Sequence, residues 1–270
     1  MTTHTWLRDA EKKLSDAGVG TARLDALVLL EDVSGRDRAW LLAHPEHELS
    51  SAEQSRLTKL LNLRAEHQPL AYVRGKTEFY GRTFVITPAV LEPRPESETM
   101  IDLLKKLPDL PGTVLIADVG AGSGAIGITA KLELPKARVE LLEIDPEAIK
   151  VAQKNVDLFT IPIKITASDL LQNTKQANDI LLCNLPYVPD GYAINPPAMR
   201  EPRLAIFGGP DGLDIYRRLF EQVENLKHKP LFILCESLPP QHEALASIAQ
   251  NAGYNLQQTD DFIQVFRRNA

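Results

Sequence analysis

Residues 114–127 read Val-Leu-Ile-Ala-Asp-Val-Gly-Ala-Gly-Ser-Gly-Ala-Ile-Gly, and this stretch decides the fold. An apolar strand runs into a glycine loop, and the apolar residues that follow have helical spacing. Glycines permit a tight turn and let a ligand come close to the backbone, while the N-terminus of the following helix favours an anion. The stretch therefore predicts a strand, loop and helix that bind a nucleotide-like ligand.

The spacing of the glycines narrows the ligand class. The pattern is Asp-x-Gly-x-Gly-x-Gly, which differs from the dinucleotide pattern Gly-x-Gly-x-x-Gly, and Gly127 restores the latter only weakly. A phosphate-binding P-loop is excluded because no Lys-Ser/Thr pair follows the glycines. The residues of this stretch that we expect to bind the ligand are Asp118, Gly120, Ala121, Gly122, Ser123 and Gly124.

Two further acids follow predicted strands. Glu143 ends an apolar run about twenty residues after the glycine loop, where an acid holds a ribose diol in related folds. Asp145 precedes Pro146 and is predicted to be a helix N-cap instead. After the third strand, Asp169 with Leu170 could bind an adenine amino group, although an ordinary turn explains these residues nearly as well.

A fourth apolar strand ends in the tetrapeptide Asn184-Leu185-Pro186-Tyr187. The Asn184 side-chain carbonyl and the Leu185 main-chain carbonyl can accept both hydrogens of a planar NH₂ group. Pro186 biases Leu185 toward an extended backbone, and Tyr187 offers a flat face for stacking. These four residues are the predicted catalytic residues, and Asn184 is also expected to bind the nucleotide-like ligand. Taken alone, the tetrapeptide also fits a strand that ends in an ordinary proline turn.

Together these motifs resemble class I S-adenosylmethionine-dependent methyltransferases, and more closely the HemK/PrmC family of protein-(glutamine-N5) methyltransferases. The resemblance spans almost the whole chain. Apart from the tetrapeptide, its specific segments are Gln68–Gly75, Glu78–Gly81, Leu91–Glu98, Glu201–Ala205 and Gly208–Leu213.

The resemblance implies S-adenosyl-L-methionine as cofactor and class-1 peptide chain release factors as partners, methylated on the glutamine of their Gly-Gly-Gln motif. Leu185 stands where the family usually has proline, and Asn-Leu-Pro-Tyr also occurs in ribosomal RNA adenine dimethyltransferases. Glu92 and Ser97 depart from the usual apolar residue and threonine. The alternatives that remain are adenine-N6 methylation of RNA or DNA, glutamine methylation of a ribosomal protein, and a non-enzymatic scaffold.

The order of predicted elements indicates three segments. Amphipathic helices fill residues 1–75: one carries Trp6 to Ala17, one spans Arg23–Val33, and a third starts after Ser51 and carries Leu57, Leu60 and Leu61. A hairpin over Phe79–Leu91 lies in a linker of residues 76–95, and strands alternate with helices over residues 96–270. Such alternation predicts an α/β fold with a doubly wound, Rossmann-like sheet, preceded by a small helical bundle. The bundle carries no catalytic pattern, so we expect it to recognise the substrate, and the predicted sheet ends in one strand over 262–266.

Composition limits the remaining classes. The chain has 270 residues, 44% of them hydrophobic, and a net charge of -6, which argues against broad binding to nucleic acid. Arg64, Arg74, Lys76, Arg82 and Arg94 could form a basic patch, although a solvated face is the preferred interpretation. We expect a cytoplasmic monomer with no membrane span, no direct nucleic-acid binding, no metal site, and buried thiols at Cys183 and Cys235.

Overall fold

The computed structural model describes residues 1–108, 110–194 and 198–269, which divide into two compact units. Unit 1 comprises Met1–Lys76 and a short segment that ends at Arg200. Unit 2 comprises Thr77–Ile194 and Glu201–Ala270. Each unit has its own hydrophobic core, so the core of each unit accounts for its fold separately.

Unit 1 is a bundle of helices. Thr2 caps the first helix, and the Ser50 side chain forms a capping box with Glu53 at the start of the longest one. Its described helices are α1 (Thr3–Asp16), α2 (Ala22–Ser34), α3 (Arg38–Ala43), α4 (Ser51–Ala65) and α5 (Leu70–Arg74). The sequence predicted α1, α2 and α4, whereas the short α3 and α5 were not predicted.

The five cations that the sequence grouped as a basic patch or a solvated face all form ion pairs. In unit 1 the Arg64 side chain is buried, and its Nε lies 2.6 Å from Asp25 Oδ2. Charged side chains are paired when they are buried, because an isolated buried charge is costly. The other pairs are Arg74 and Lys76 with Asp32, Arg82 with Glu133, and Arg94 with Glu201.

The elements that follow α5 alternate between strands and helices. Among the described residues, no helix is both long enough and apolar enough to cross a membrane. The elements are β1 (Lys76–Phe79), β2 (Arg82–Val85), α6 (Glu98–Lys105), β3 (Leu115–Val119), α7 (Ala125–Glu133), β4 (Arg138–Glu143), α8 (Pro146–Phe159), β5 (Lys164–Ala167), β6 (Ile180–Cys183), α9 (Asp214–Glu224), β7 (Phe232–Glu236), α10 (His242–Asn251), β8 (Tyr254–Asp260) and β9 (Ile263–Arg268).

Seven of these strands form one sheet in the order β5-β4-β3-β6-β7-β9-β8. Strands β3 to β7 run parallel, and β9 and β8 are antiparallel additions at one edge. The predicted doubly wound sheet is confirmed. The sequence missed β8, because all its residues after Tyr254 are exposed and its pattern is polar, as an edge strand allows.

Helices cover both faces of the sheet. Helices α6, α7 and α8 pack on one face through residues such as Ile101, Ile128 and Val156. Helices α9 and α10 pack on the other face, where Phe220 and Leu245 are fully buried. Both layers leave the carboxyl ends of the parallel strands open to a ligand, which is where α/β folds of this type bind one.

The hairpin of β1 and β2 begins and ends earlier than predicted. Its turn lies at Tyr80 and Gly81, which have φ of 51° and 68°, the left-handed conformation that two-residue hairpin turns require. The Phe79 and Phe84 side chains are buried in the same cluster as α6 to α8. The residues after β2, up to Leu91, form turns and irregular segments and no further strand.

Gly127, in the first turns of α7, is expected to tolerate no side chain. A Cβ there would lie 2.4 Å from Leu141 Cδ2 and 2.8 Å from Asp118 Cβ. Exchanging glycine for alanine inside a helix normally stabilises by about 1 kcal/mol. We expect Gly127→Ala to lower the free energy of unfolding by about 1–3 kcal/mol instead, because the core must shift to admit the methyl group.

Denaturant titration measures this change, and Gly112→Ala is the matched control because a Cβ at Gly112 meets no atom within 4 Å. The control variant should unfold at the same midpoint as the parent chain. A Gly127→Ala variant as stable as the control would show that β3, β4 and α7 are not closely packed at this point.

Candidate active site

A cavity of about 250 Å³ lies in unit 2 at the carboxyl ends of the parallel strands. It is bounded by the glycine loop after β3, the end of β4, the segment after β5 and the tetrapeptide after β6. Of the predicted site residues, the cavity is lined by Gly120, Ala121, Gly122, Ser123, Glu143, Asp169, Leu170, Asn184, Leu185 and Pro186. Among the described residues, Asp118, Gly124 and Tyr187 are site predictions that lie outside this lining.

The glycine loop owes its shape to left-handed backbone at alternate residues. Gly120, Gly122 and Gly124 have φ of 70°, 54° and 79°, which residues with a Cβ rarely adopt. A Cβ at Gly120 would also lie 2.9 Å from Leu185 Cδ2. The loop is therefore fitted against the tetrapeptide, and glycine is required on both steric and conformational grounds.

The buried side-chain amide of Asn155 holds the glycine loop in place. The Asn155 side chain of α8 donates from Nδ2 to the Ser123 carbonyl at 2.9 Å and accepts the Val85 N–H at 2.7 Å. Because Asn155 is fully buried, losing either partner would leave a polar group without a hydrogen bond. The residue was not predicted, since an asparagine within a helical pattern gives no signal of such a contact.

The Glu143 carboxylate organises the backbone around it. Its Oε2 accepts the Gly122 N–H at 2.7 Å, and its Oε1 accepts the N–H groups of Ile144 and Asp145 at 2.8 and 2.9 Å. Each carboxylate oxygen retains further acceptor capacity. Glu143 thus joins the glycine loop to the end of β4 and still presents acceptors to the cavity.

Asp118 has a different position from the one its place in the motif suggested. It is buried behind the loop, and its Oδ2 accepts the Gly127 N–H of α7 at 2.7 Å. Burial raises the pKa of Asp118 to about 7, opposed by the Gly127 hydrogen bond and reinforced by the charge of Glu143. The contact joins the end of β3 to α7, and so positions the loop indirectly.

Asp169 and Leu170 line the cavity after β5. The Asp169 carboxylate forms an ion pair with Arg218 of α9, which also lines the cavity. Leu170 has a φ of 53°, and its carbonyl accepts a hydrogen bond from the Ser168 hydroxyl at 2.8 Å. An ordered turn therefore presents both residues, and Arg218 is a cavity residue that the sequence did not indicate.

The tetrapeptide is held at both ends by residues that the sequence did not single out. The Asn184 Nδ2 donates to the Ser97 hydroxyl oxygen at 3.0 Å, and the Tyr187 hydroxyl donates to Glu236 Oε1 at 3.0 Å. Within the described residues, no hydrogen bond ends at Asn184 Oδ1 or at the Leu185 carbonyl. These two oxygens remain as acceptors for an NH₂ group.

The buried carboxyl of Glu236 lies below the tetrapeptide at the end of β7. Burial raises its pKa to about 7, while the nearby hydroxyls of Ser97 and Tyr187 act in the opposite direction. In turn, burial and the neighbouring Glu236 raise the pKa of the Tyr187 hydroxyl, which therefore stays protonated as a donor. The only sequence signal for Glu236 was an acid at the end of an apolar strand.

The loop from Gly208 to Leu213 packs directly on the tetrapeptide backbone. A Cβ at Gly208 would lie 2.3 Å from the Pro186 carbonyl oxygen, and a Cβ at Gly212 would lie 2.0 Å from that of Tyr187. Gln241 joins the two segments, since its Nε2 donates at 2.7 Å to the carbonyls of both Tyr187 and Asp211. The glycines in this loop therefore serve close backbone approach.

The Glu201 carboxyl connects the remaining motif segments. Its Oε2 accepts a hydrogen bond from Arg94 Nη2 at 2.6 Å, which joins the segment around Leu91–Glu98 to that around Glu201–Ala205. Burial raises the pKa of Glu201 to about 7, and the charge of Arg94 lowers it. Of the unit 2 segments that carried the sequence resemblance after the hairpin, Leu91–Glu98, the tetrapeptide and Glu201–Ala205 contribute to the cavity lining, and Gly208–Leu213 packs on the tetrapeptide.

Two family models match parts of this chain, and solved structures share its fold. The family described as the PrmC N-terminal domain matches residues 5–75, and the family described as the methyltransferase small domain matches residues 97–199. In solved structures the fold is similar to the hMettl16 catalytic domain with a MAT2A hairpin, with a TM-score of 0.55, 16% identity and 82% and 83% of the two chains covered. A methyltransferase from Pyrococcus furiosus gives a TM-score of 0.53, with 15% identity and coverage of 82% and 100%.

Three relatives with 33–37% identity bear the same name. "Release factor glutamine methyltransferase" from Koribacter versatilis is 37% identical over 87% of this chain and 86% of its own length. The protein of that name from Moorella thermoacetica is 36% identical over 94% and 91%, and that from Bacillus anthracis is 33% identical over 83% of each chain. The chain belongs to the release factor glutamine methyltransferase family.

Proposed function

We propose that this chain transfers a methyl group from S-adenosyl-L-methionine to the side-chain amide nitrogen of the Gly-Gly-Gln glutamine in class-1 peptide chain release factors. The observation that carries the proposal is the pair of unengaged acceptors, Asn184 Oδ1 and the Leu185 carbonyl, beside a glycine loop at one cavity. The names of the relatives support the choice of substrate.

The cavity residues fit this cofactor. A Cβ at Gly122, which lines the cavity, would meet no protein atom within 4 Å, so a ligand can come close to the backbone there, and the Glu143 carboxylate has acceptor capacity for two ribose hydroxyls. Asp169 and Leu170 would contact the adenine side, with Ser123 and Ala121 beside the loop. Asp118 and Gly124 would contribute by shaping the loop. The bound cofactor supplies an electrophilic methyl group attached to a sulfonium.

The protein's own share of the chemistry is orientation. An amide nitrogen is a weak nucleophile because its lone pair is delocalised, so holding both of its hydrogens leaves the lone pair directed at the methyl group. Asn184 and Leu185 would accept these hydrogens, Pro186 would keep the backbone extended, and Tyr187 would pack against the amide. The methylated amide is strongly acidic before it loses a proton, so water can accept that proton and no basic side chain is required.

The two units would divide recognition and chemistry. We propose residues 1–75 as a helical recognition domain for the release factor, residues 76–95 as a linker with the hairpin, and residues 96–270 as the methyltransferase domain. The family match over residues 5–75 supports this division. Because the substrate acts in translation, we place the chain in the cytoplasm. We propose that it acts as a monomer.

Adenine-N6 methylation of nucleic acid is the second candidate, and Leu185 is the observation that favours it. The same acceptors would hold an adenine amino group. Against it stand the net charge of -6 and the ion-paired state of the five cations once grouped as a basic patch. Glutamine methylation of a ribosomal protein uses identical chemistry, so only a trial of substrates separates it from the leading proposal.

Exchange of the acceptor side chain tests the catalytic assignment. We expect Asn184→Ala to lower kcat on a release factor by about 10² or more, because one transition-state hydrogen bond is lost. Cofactor affinity should stay within a few fold. The assay uses labelled cofactor with release factors, ribosomal proteins and RNA, and the exposed Asn255 provides the control variant Asn255→Ala.

The same panel decides between the candidate substrates. Label in a release factor, removed when its Gly-Gly-Gln glutamine is changed, is the expected result. Normal turnover by Asn184→Ala would refute the role of the tetrapeptide. Label in RNA and in no protein would replace the leading proposal with adenine methylation.

Glu143→Ala tests the cofactor assignment. We expect binding to weaken by about 1–3 kcal/mol, because the ribose hydroxyls lose a charged acceptor and three backbone N–H groups lose theirs. Calorimetry measures the dissociation constant, and Glu147→Ala on the exposed start of α8 is the control. Equal affinity in the two variants would move the ribose contact to another residue.

A further inference from the structure

The Asn184 amide can bind its substrate in only one of two orientations. Its oxygen accepts hydrogen bonds, its nitrogen donates them, and the two ends have nearly the same shape. If the nitrogen faced the NH₂ group of a substrate, donor would meet donor. Some part of the protein must therefore select the orientation that presents Oδ1.

The Ser97 hydroxyl lies at the opposite end of this amide. Its oxygen accepts the hydrogen bond from Asn184 Nδ2 at 3.0 Å, and the side chain is fully buried. A hydroxyl can both donate and accept, so by itself Ser97 does not choose between the two orientations. Ser97 selects one orientation of the Asn184 amide only if its own hydroxyl hydrogen is donated to another acceptor.

The Glu236 carboxyl is the group that can accept the hydrogen of the Ser97 hydroxyl. The parallel pairing of Cys183 with Cys235 places Glu236 level with Asn184 on the neighbouring strand. Its Oε1 accepts the Tyr187 hydroxyl at 3.0 Å, whereas its buried Oε2 has no hydrogen-bond partner among the described residues. The Ser97 hydroxyl lies near enough to lower the pKa of this carboxyl. The ionised carboxylate accepts only, so the Ser97 hydrogen would point toward Oε2.

We propose that Ser97 and Glu236 are positioning residues that fix the Asn184 amide with its oxygen toward the substrate nitrogen. Donation runs in one direction, from Asn184 to Ser97 and from Ser97 to Glu236. Through Tyr187, the same carboxylate holds the other end of the tetrapeptide. This inference rests on the proposed function, because it assigns the orientation that an NH₂ substrate needs.

The Ser97 hydroxyl is tested by three substitutions. Ser97→Ala removes both hydrogen bonds, and we expect kcat to fall by about 10- to 100-fold, with KM for the release factor and cofactor affinity within a few fold. Ser97→Cys keeps a side chain of similar size but with a weak hydrogen-bonding group, and its kcat should fall nearly as far as that of Ser97→Ala. Ser97→Thr retains a hydroxyl and should recover most of the lost rate. Ser247→Ala on exposed α10 is the control.

Glu236→Gln tests the direction of hydrogen-bond donation from Asn184 through Ser97 to Glu236. The glutamine side chain offers a donor as well as an acceptor, so the Ser97 hydroxyl is no longer restricted to donating in this direction. Both orientations of the Asn184 amide then become accessible. At about pH 8.5, where the carboxyl is ionised, we expect kcat to fall by about 3- to 10-fold. Exposed Glu243→Gln is the matched control.

A measurement without substrate separates this inference from the proposed function. The side-chain NH₂ signals of Asn184, identified by their loss in Asn184→Asp, should exchange slowly with solvent in the parent chain and at least about tenfold faster in Ser97→Ala. Unchanged exchange, or undiminished kcat in both Ser97→Ala and Ser97→Cys, would overturn the inference. Slow, Ser97-dependent exchange in a parent chain that methylates no release factor would refute the proposed function and leave the hydrogen-bond chain intact.

Discussion

The parallel register of four neighbouring strands is the constraint on which the site depends. Val119 pairs with Leu142 on one side and with Cys183 on the other, and Cys183 pairs with Cys235. The residues directly after these pairs are Gly120, Glu143, Asn184 and Glu236, so all four reach the same edge of the sheet. A slip of one residue in any strand would turn its side chains to the opposite face and remove one of these groups from the cavity.

Buried carboxyls hold the segments around that edge, and they do so at a cost in stability. Burial raises the pKa values of Asp118, Glu201 and Glu236 to about 7. A carboxyl whose pKa rises on folding keeps a proton that the unfolded chain releases, so its contribution to stability falls as the pH rises from its unfolded pKa toward about 7. Their role is therefore positional: they hold α7, the Arg94 segment and Tyr187 respectively.

The sequence predicted those elements and site residues whose positions depend on a local sequence pattern. The strand, loop and helix from Val114 onward, the order of alternating elements, and the position of Asn184 at a strand end all follow from periodicity and from residues with special backbone geometry. The short α3 and α5 and the polar edge strand β8 lack a periodic apolar signal, and they were missed.

The supporting residues could not be predicted from local pattern, because their partners are distant in sequence. Ser97 meets Asn184 across 87 residues, and Gln241 meets Tyr187 across 54. Arg218 and Asp169 pair across 49 residues. Such contacts arise from sheet register and helix packing, so a single sequence presents these side chains as ordinary polar residues until the strands are assembled.

Leu185 illustrates how one departure from the usual family tetrapeptide is accommodated by the surrounding fold. A proline there would fix φ but could donate no hydrogen bond. Leu185 instead donates its N–H to the Tyr216 hydroxyl at 3.4 Å, and that hydroxyl also lies 3.0 Å from the Cys183 carbonyl. Its side chain is buried and fills the space beside Gly120. With Pro186 restricting the backbone of Leu185 from the other side, a hydrogen bond and packing here supply the rigidity that a proline ring supplies elsewhere, while among the described residues no group donates to the Leu185 carbonyl.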